Sequence, residues 1–91
     1  MSTFTQEDTL LLDETVITHE KQLVLYNDDV NTFDHVINAL MDVCRHDLLQ
    51  AEQCTLLIHL KGKCSVKTGQ YDKLEPMCTA ILERGITAQI Q

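Results

Sequence analysis

Apolar positions in this chain fall into six stretches, and each stretch marks an element. Gln22-Leu23-Val24-Leu25-Tyr26 is a short apolar run that stops at the polar cluster Asn27-Asp28-Asp29, the pattern of a buried strand running into a turn. Phe33, Val36, Ile37, Leu40, Met41 and Cys44 then recur at i, i+3, i+4, i+7, i+8 and i+11, one face of a first helix, which Asn31 is expected to cap with Asp34 in its first turn. A second helix is expected from Asp47 as cap to Gly62 as stop. Ala51, Cys54, Thr55 and Ile58 form its stripe, and Leu56, Leu57 and Leu60 widen the apolar surface enough to predict a central helix.

Lys63 to Thr68 alternates like a half-exposed strand closed by Gly69. Tyr71, Leu74, Cys78, Ile81 and Leu82 return to helical spacing, with Asp72 as the expected cap, Pro76 in or just beyond the first turn, and Arg84-Gly85 as the stop. Ile86 to Gln91 alternates again as a last strand. The expected order is β-α-α-β-α-β, an α+β single domain.

Length and charge narrow the picture. Ninety-one residues make one small domain. Seven Lys and Arg against fourteen Asp and Glu give a net charge of −7, which argues against nucleic acid and anionic membrane as partners. Five of the acids, Glu7, Asp8, Asp13, Glu14 and Glu20, lie in residues 1–20 without any Lys or Arg, so that segment is read as a mobile acidic extension and residues 21–91 as the folded core. No basic leader or membrane-length apolar run is present, and a cytoplasmic chain is expected.

Chemistry-bearing motifs are few. Cys44, Cys54, Cys64, Cys78, His35, His46 and His59 lack the close ligand pairs of structural zinc, and the cysteines on helical stripes read as small buried hydrophobes, so neither metal nor cofactor is expected. Thiol or metal catalysis by Cys64 or another cysteine is the enzyme alternative. The informative cluster is Asn27-Asp28-Asp29 with His59: an amide oxygen, carboxylates and a neutral imidazole nitrogen are acceptors enough for the three donors of one ammonium group. On spacing alone, the same residues are also a solvated turn before a helix cap and an ordinary half-buried histidine.

Three stretches together resemble the ClpS adaptor family: Leu23-Val24-Leu25-Tyr26-Asn27-Asp28-Asp29, Phe33-Asp34-His35-Val36-Ile37, and Leu57-Ile58-His59-Leu60-Lys61-Gly62. The resemblance spans about residues 21–91. It implies a small ClpS-like domain with a three-stranded antiparallel sheet packed on helices, and a monomeric, non-enzymatic adaptor. Such an adaptor binds N-degron-bearing substrate proteins and delivers them to the N-terminal domain of a Clp-family AAA+ ATPase, ClpA- or ClpC-like. By position, Asn27, Asp29 and His59 would bind the substrate α-amino group and Asp28 would shape the turn. Asn31, Phe33, Val36, Thr55, Ile58 and Ile86 would form the pocket for a large first side chain. Asn31-Thr32 stands where the family has Thr-Pro, Phe33 where Met is common and Thr55 where a gatekeeping Met is found, so an altered preference among large side chains is expected. The alternative binding reading is a ribosomal-stalk-like α+β interaction module, which needs no convergence of Asn27, Asp29 and His59.

Overall fold

The computed structural model describes residues 20–91; the acidic extension expected over residues 1–20 lies, but for Glu20, outside the described residues. The elements are β1 (Lys21–Tyr26), α1 (Phe33–Val43), α2 (Leu48–Lys61), β2 (Lys63–Gly69), α3 (Tyr71–Glu83) and β3 (Ala88–Ile90). The sheet is antiparallel in the order β2-β1-β3. Its central strand is the most apolar one because neighbours on both sides take it out of water: Leu23 and Leu25 are fully buried. Between the pairs Leu23↔Lys67 and Val24↔Ser65, Val66 is the extra residue of a β-bulge, and its carbonyl accepts a 2.7 Å hydrogen bond from His46 Nε2.

The helices bury one core against the sheet. Val36, Ala39, Leu40 and Cys44 of α1, Ala51 and Ile58 of α2, and Leu74 and Ile81 of α3 join Leu23, Leu25 and Ile86 in one cluster. Asp47 caps α2 as expected, its carboxylate accepting from Gln50 N at 2.8 Å, and Gly62 ends the helix at φ 91°, a left-handed conformation that suits a residue without Cβ.

Three expectations are corrected. Thr32, not Asn31, caps α1: its hydroxyl accepts from His35 N at 3.1 Å, while Asn31 is engaged elsewhere. Gln70, not Asp72, precedes α3, and Asp72 falls in the first turn. Pro76 therefore sits in the second turn, where it removes the amide that would have reached the Asp72 carbonyl. Finally, α2 is not central. It buries Ala51, Thr55 and Ile58, but Leu56, Leu57 and Leu60 are exposed on the opposite side. Apolar residues all round a helix had suggested burial all round; here one side faces solvent. Among the described residues, no helix is long and apolar enough to cross a membrane.

The cysteines are free thiols in the helix-side core or at its margin. Burial pushes Cys44 and Cys54 up to about 11, with Cys64 beside Cys54 adding to the latter, so both are thiols rather than reactive thiolates at neutral pH. His35 Nε2 bonds to the Arg84 carbonyl at 2.8 Å, as His46 does to Val66, so two of the three candidate ligand histidines are held by backbone oxygens.

Candidate functional site

The chain leaves β1 at Tyr26 and must reverse before α1 begins at Phe33. Asp28 organises that reversal. Its Oδ1 accepts from Val30 N and Asn31 N, both at 3.0 Å, the local closure that Asp and Asn side chains offer in turns. Asn31 Nδ2 donates back to the Asp28 carboxylate at 2.9 Å and to the Gly85 carbonyl at 2.9 Å, so the turn is tied to the chain that follows α3. Asn27 N donates to the Gly62 carbonyl at 2.9 Å, which ties the turn to the end of α2. Three separate parts of the fold therefore meet at residues 27–31.

They enclose a cleft of about 290 Å³, near the lower end of small-ligand sites. Asn27, Asp28, Asp29 and Asn31 line its β1–α1 side, Thr32, Phe33 and Val36 its α1 side, and Thr55, Ile58 and His59 its α2 side. Val36, Thr55 and Ile58 are buried and supply an apolar interior. The Thr55 hydroxyl donates to the Ala51 carbonyl at 2.7 Å, so it adds no unpaired donor. Phe33 is half-exposed, and its ring meets the His59 ring edge to face, centroids 5.2 Å apart and planes at 67°. A smaller recess of about 20 Å³, room for a single water, adjoins the cleft through shared residues Asn27, Asp28, Asn31, Val36 and Ile58. Ile86 lines this recess with Tyr26 and does not line the main cleft.

Nine of the ten residues singled out from the sequence therefore face one cleft, and Ile86 lies at the adjoining recess. Sequence reasoning missed Thr32, Tyr26 and the Phe33–His59 contact. Thr32 had a usable signal, a hydroxyl residue directly before the periodic stripe; the ring contact joins two helices and had none.

The rim carries carboxylates and no Lys or Arg. The Asn31 backbone amide, helped by Val30 N and the Asn31 side chain, holds the Asp28 carboxyl below its ordinary 3.8 despite partial desolvation. A lowered folded-state value means that the charged form stabilises the fold. That contribution is complete at neutral pH, starts to fade as pH falls through about 3.8, and is gone below the folded-state value. The Asp28 carboxyl carbon, followed by NMR titration, is expected to show a midpoint below 3.8 that moves part of the way back in Asn31→Ala. An unchanged midpoint in that variant would show that the side-chain amide does not hold the turn.

Relatives share both the sequence and the fold. The family model described as ATP-dependent Clp protease adaptor protein ClpS matches residues 18–89, which take in all three helices and the first two strands. The ATP-dependent Clp protease adapter protein ClpS of Campylobacter jejuni is 38% identical over 64 residues, covering 66% of this chain and 67% of the relative. The ClpS of Corynebacterium aurimucosum is 26% identical over 68 residues, covering 75% of this chain and 61% of the relative. Among solved structures, Agrobacterium tumefaciens ClpS2 bound to L-phenylalaninamide superimposes with a TM-score of 0.70 at 19% identity, over 80% of this chain and 95% of that one. With the family match running from before β1 into β3 and the same fold in a solved relative, the chain belongs to the ClpS family of Clp protease adaptor proteins.

Proposed function

We propose that the cleft binds the free amino terminus and large hydrophobic first residue of N-degron-bearing proteins, which the adaptor then hands to a Clp-family AAA+ ATPase for degradation. The observation that carries this reading is the cleft's division of labour. Asn27, Asp29 and His59 line the same 290 Å³ space as Val36, Thr55 and Ile58, so acceptors and apolar walls serve one ligand. An ammonium offers three donors and no acceptor, and a cleft with acidic residues and no cation fits that chemistry. The ligand of Agrobacterium tumefaciens ClpS2, L-phenylalaninamide, combines a free amine with a benzyl side chain. The role is one of binding and delivery; the protein performs no reaction of its own.

Phe33 and Thr55 set the preference. A Phe on the α1 side narrows the approach beside His59, while the short Thr55 leaves depth below it. Peptides beginning with Phe, Leu, Trp, Tyr, Ile or Val, competed against a fluorescent Phe-first probe, are expected to rank Phe, Leu, Trp and Tyr above Ile and Val. Phe33→Met and Thr55→Met are expected to reorder the large residues by about tenfold or more, since a change of even one methylene in an apolar pocket is worth about 10-fold or more. Equal competition by all six peptides, or none, would overturn the reading.

A further inference from the structure

Two of the four free cysteines meet where α2 gives way to β2. The left-handed Gly62 turns the chain from one element directly into the other, and the two pack together. On β2, Cys64 stands opposite the fully buried Leu25 of β1. Residues opposite each other in antiparallel strands share a face, so the Cys64 side chain points to the helices. On α2, Cys54 lies three residues after Ala51 and four before Ile58, two of the residues that this helix buries in the core. Both cysteine side chains pack against the margin of that core, and their thiols lie within hydrogen-bonding reach of each other. Both are half-buried where Cys44 and Cys78 are buried, and β2 is an edge strand, so a small reagent reaches the pair.

We propose that Cys54 and Cys64 form an oxidation site, which a small-molecule disulfide such as oxidised glutathione converts into an intramolecular bridge joining α2 to β2. The Cys64 thiolate attacks one sulfur of the reagent and expels the first glutathione thiolate, which leaves glutathione bonded to Cys64. The Cys54 sulfur then attacks Cys64, breaks that mixed bond and expels the second glutathione. Two electrons pass from the two cysteines to the reagent, and the two thiol protons end on the two glutathione molecules released. The order follows from the surroundings. Burial holds Cys54 as a thiol, pushed up to about 11, and part of that rise comes from the charge of Cys64 and its hydrogen bond. Those last two contributions vanish once Cys64 is bonded to glutathione, so the Cys54 thiolate forms more readily when its partner is ready to be attacked. The bridge encloses residues 55–63, which include Thr55, Ile58 and His59 of the cleft wall, and it ties the helix that carries them to the sheet. The site stands apart from the ligand reading, and neither depends on the other.

Mass spectrometry of the full chain, incubated in native buffer with oxidised glutathione and then unfolded and alkylated, tests this. The expected product is a single chain lighter by two hydrogens before alkylation, with two cysteines alkylated instead of four and all four regained after dithiothreitol. Trypsin cuts after Arg45, Lys61, Lys63 and Lys67, so the bridge is expected as residues 46–61 joined to residues 64–67, which contain Cys54 and Cys64 and no other cysteine. Cys54→Ser is expected to stop at one glutathione on Cys64, and Cys64→Ser to take up none. At a fixed ratio of reduced to oxidised glutathione, the ratio of bridged to reduced chain is expected to be several-fold higher in buffer than in concentrated urea, because the fold already holds the thiols together. Four free thiols after treatment overturn the proposal. So does a bridge through Cys44 or Cys78, a bridge between two chains, or a ratio in buffer no higher than in urea.

Discussion

A peptide with a free amino-terminal Phe is expected to bind at least tenfold more tightly than its N-acetylated twin, and Asp29→Ala is expected to remove most of that difference. The argument is one of donors and acceptors. An α-ammonium moving into the cleft gives up water for whatever acceptors the rim provides, and a desolvated charge without partners is very unfavourable. Asn27, Asp29 and His59 offer an amide oxygen, a carboxylate and an imidazole nitrogen beside one cleft. A hydrogen bond to a charged group is worth about 1.5–3 kcal/mol, and about 1.4 kcal/mol is tenfold in affinity. Acetylation removes the charge and two of the donors, and it leaves acceptors facing a methyl group.

Asp29 is the residue to change because Asp28 is already occupied. The Asp28 carboxylate accepts from Val30 N, Asn31 N and the Asn31 side chain, so its loss would reshape the turn and confuse the result. Fluorescence anisotropy with both peptides and both proteins makes a complete cycle. If free and acetylated peptides bind alike to the wild type, the rim does not recognise an amine. If Asp29→Ala weakens both equally, Asp29 supports the cleft without touching the ammonium.

How far the chain could be read from its sequence depends on whether a feature is local. The α1 stripe was legible because Val36, Leu40 and Cys44 bury at the spacing that one helix face dictates. The caps at Asp47 and Gly62 were legible because each acts within a turn of its own helix. Asn31 was misplaced as a cap because two partners compete for it, Asp28 three residues back and Gly85 fifty-four residues on, and the second is invisible to any local pattern. The α2 leucines misled for the opposite reason: composition reports how apolar a helix is but not how many of its sides the fold covers. Of the cleft, the acceptor cluster of Asn27-Asp28-Asp29 with His59 was readable as residue types, and the resemblance named the ammonium it would hold. The edge-to-face contact of Phe33 with His59 and the retreat of Ile86 to a separate recess depend on how α1, α2 and the β3 approach pack.

Leu40→Ala is expected to cost about 2–5 kcal/mol, the largest stability effect proposed for this chain. Leu40 is fully buried on α1 within the cluster that joins all three helices to β1. Its backbone carbonyl also accepts from Cys44 N and His46 N at the end of that helix, so the cavity would open beneath a segment whose hydrogen bonds restrict its collapse. A domain of this size has on the order of 4–10 kcal/mol to lose, and each 1 kcal/mol corresponds to roughly 4–8 °C in melting temperature. Calorimetry should therefore place the variant about 8–40 °C below the wild type, with Leu56→Ala, an exposed leucine of the same type, unchanged within about 0.5 kcal/mol. Equal costs at the two positions would mean that α1 does not carry the core. The pair also separates stability from recognition. Leu40 lies one turn beyond Val36 on the same helix face, and Val36 walls the cleft. A Leu40→Ala protein studied well below its melting temperature is expected to keep the ranking of amino-terminal residues while its affinities fall together, because the cavity loosens α1 without altering any side chain that faces the ligand.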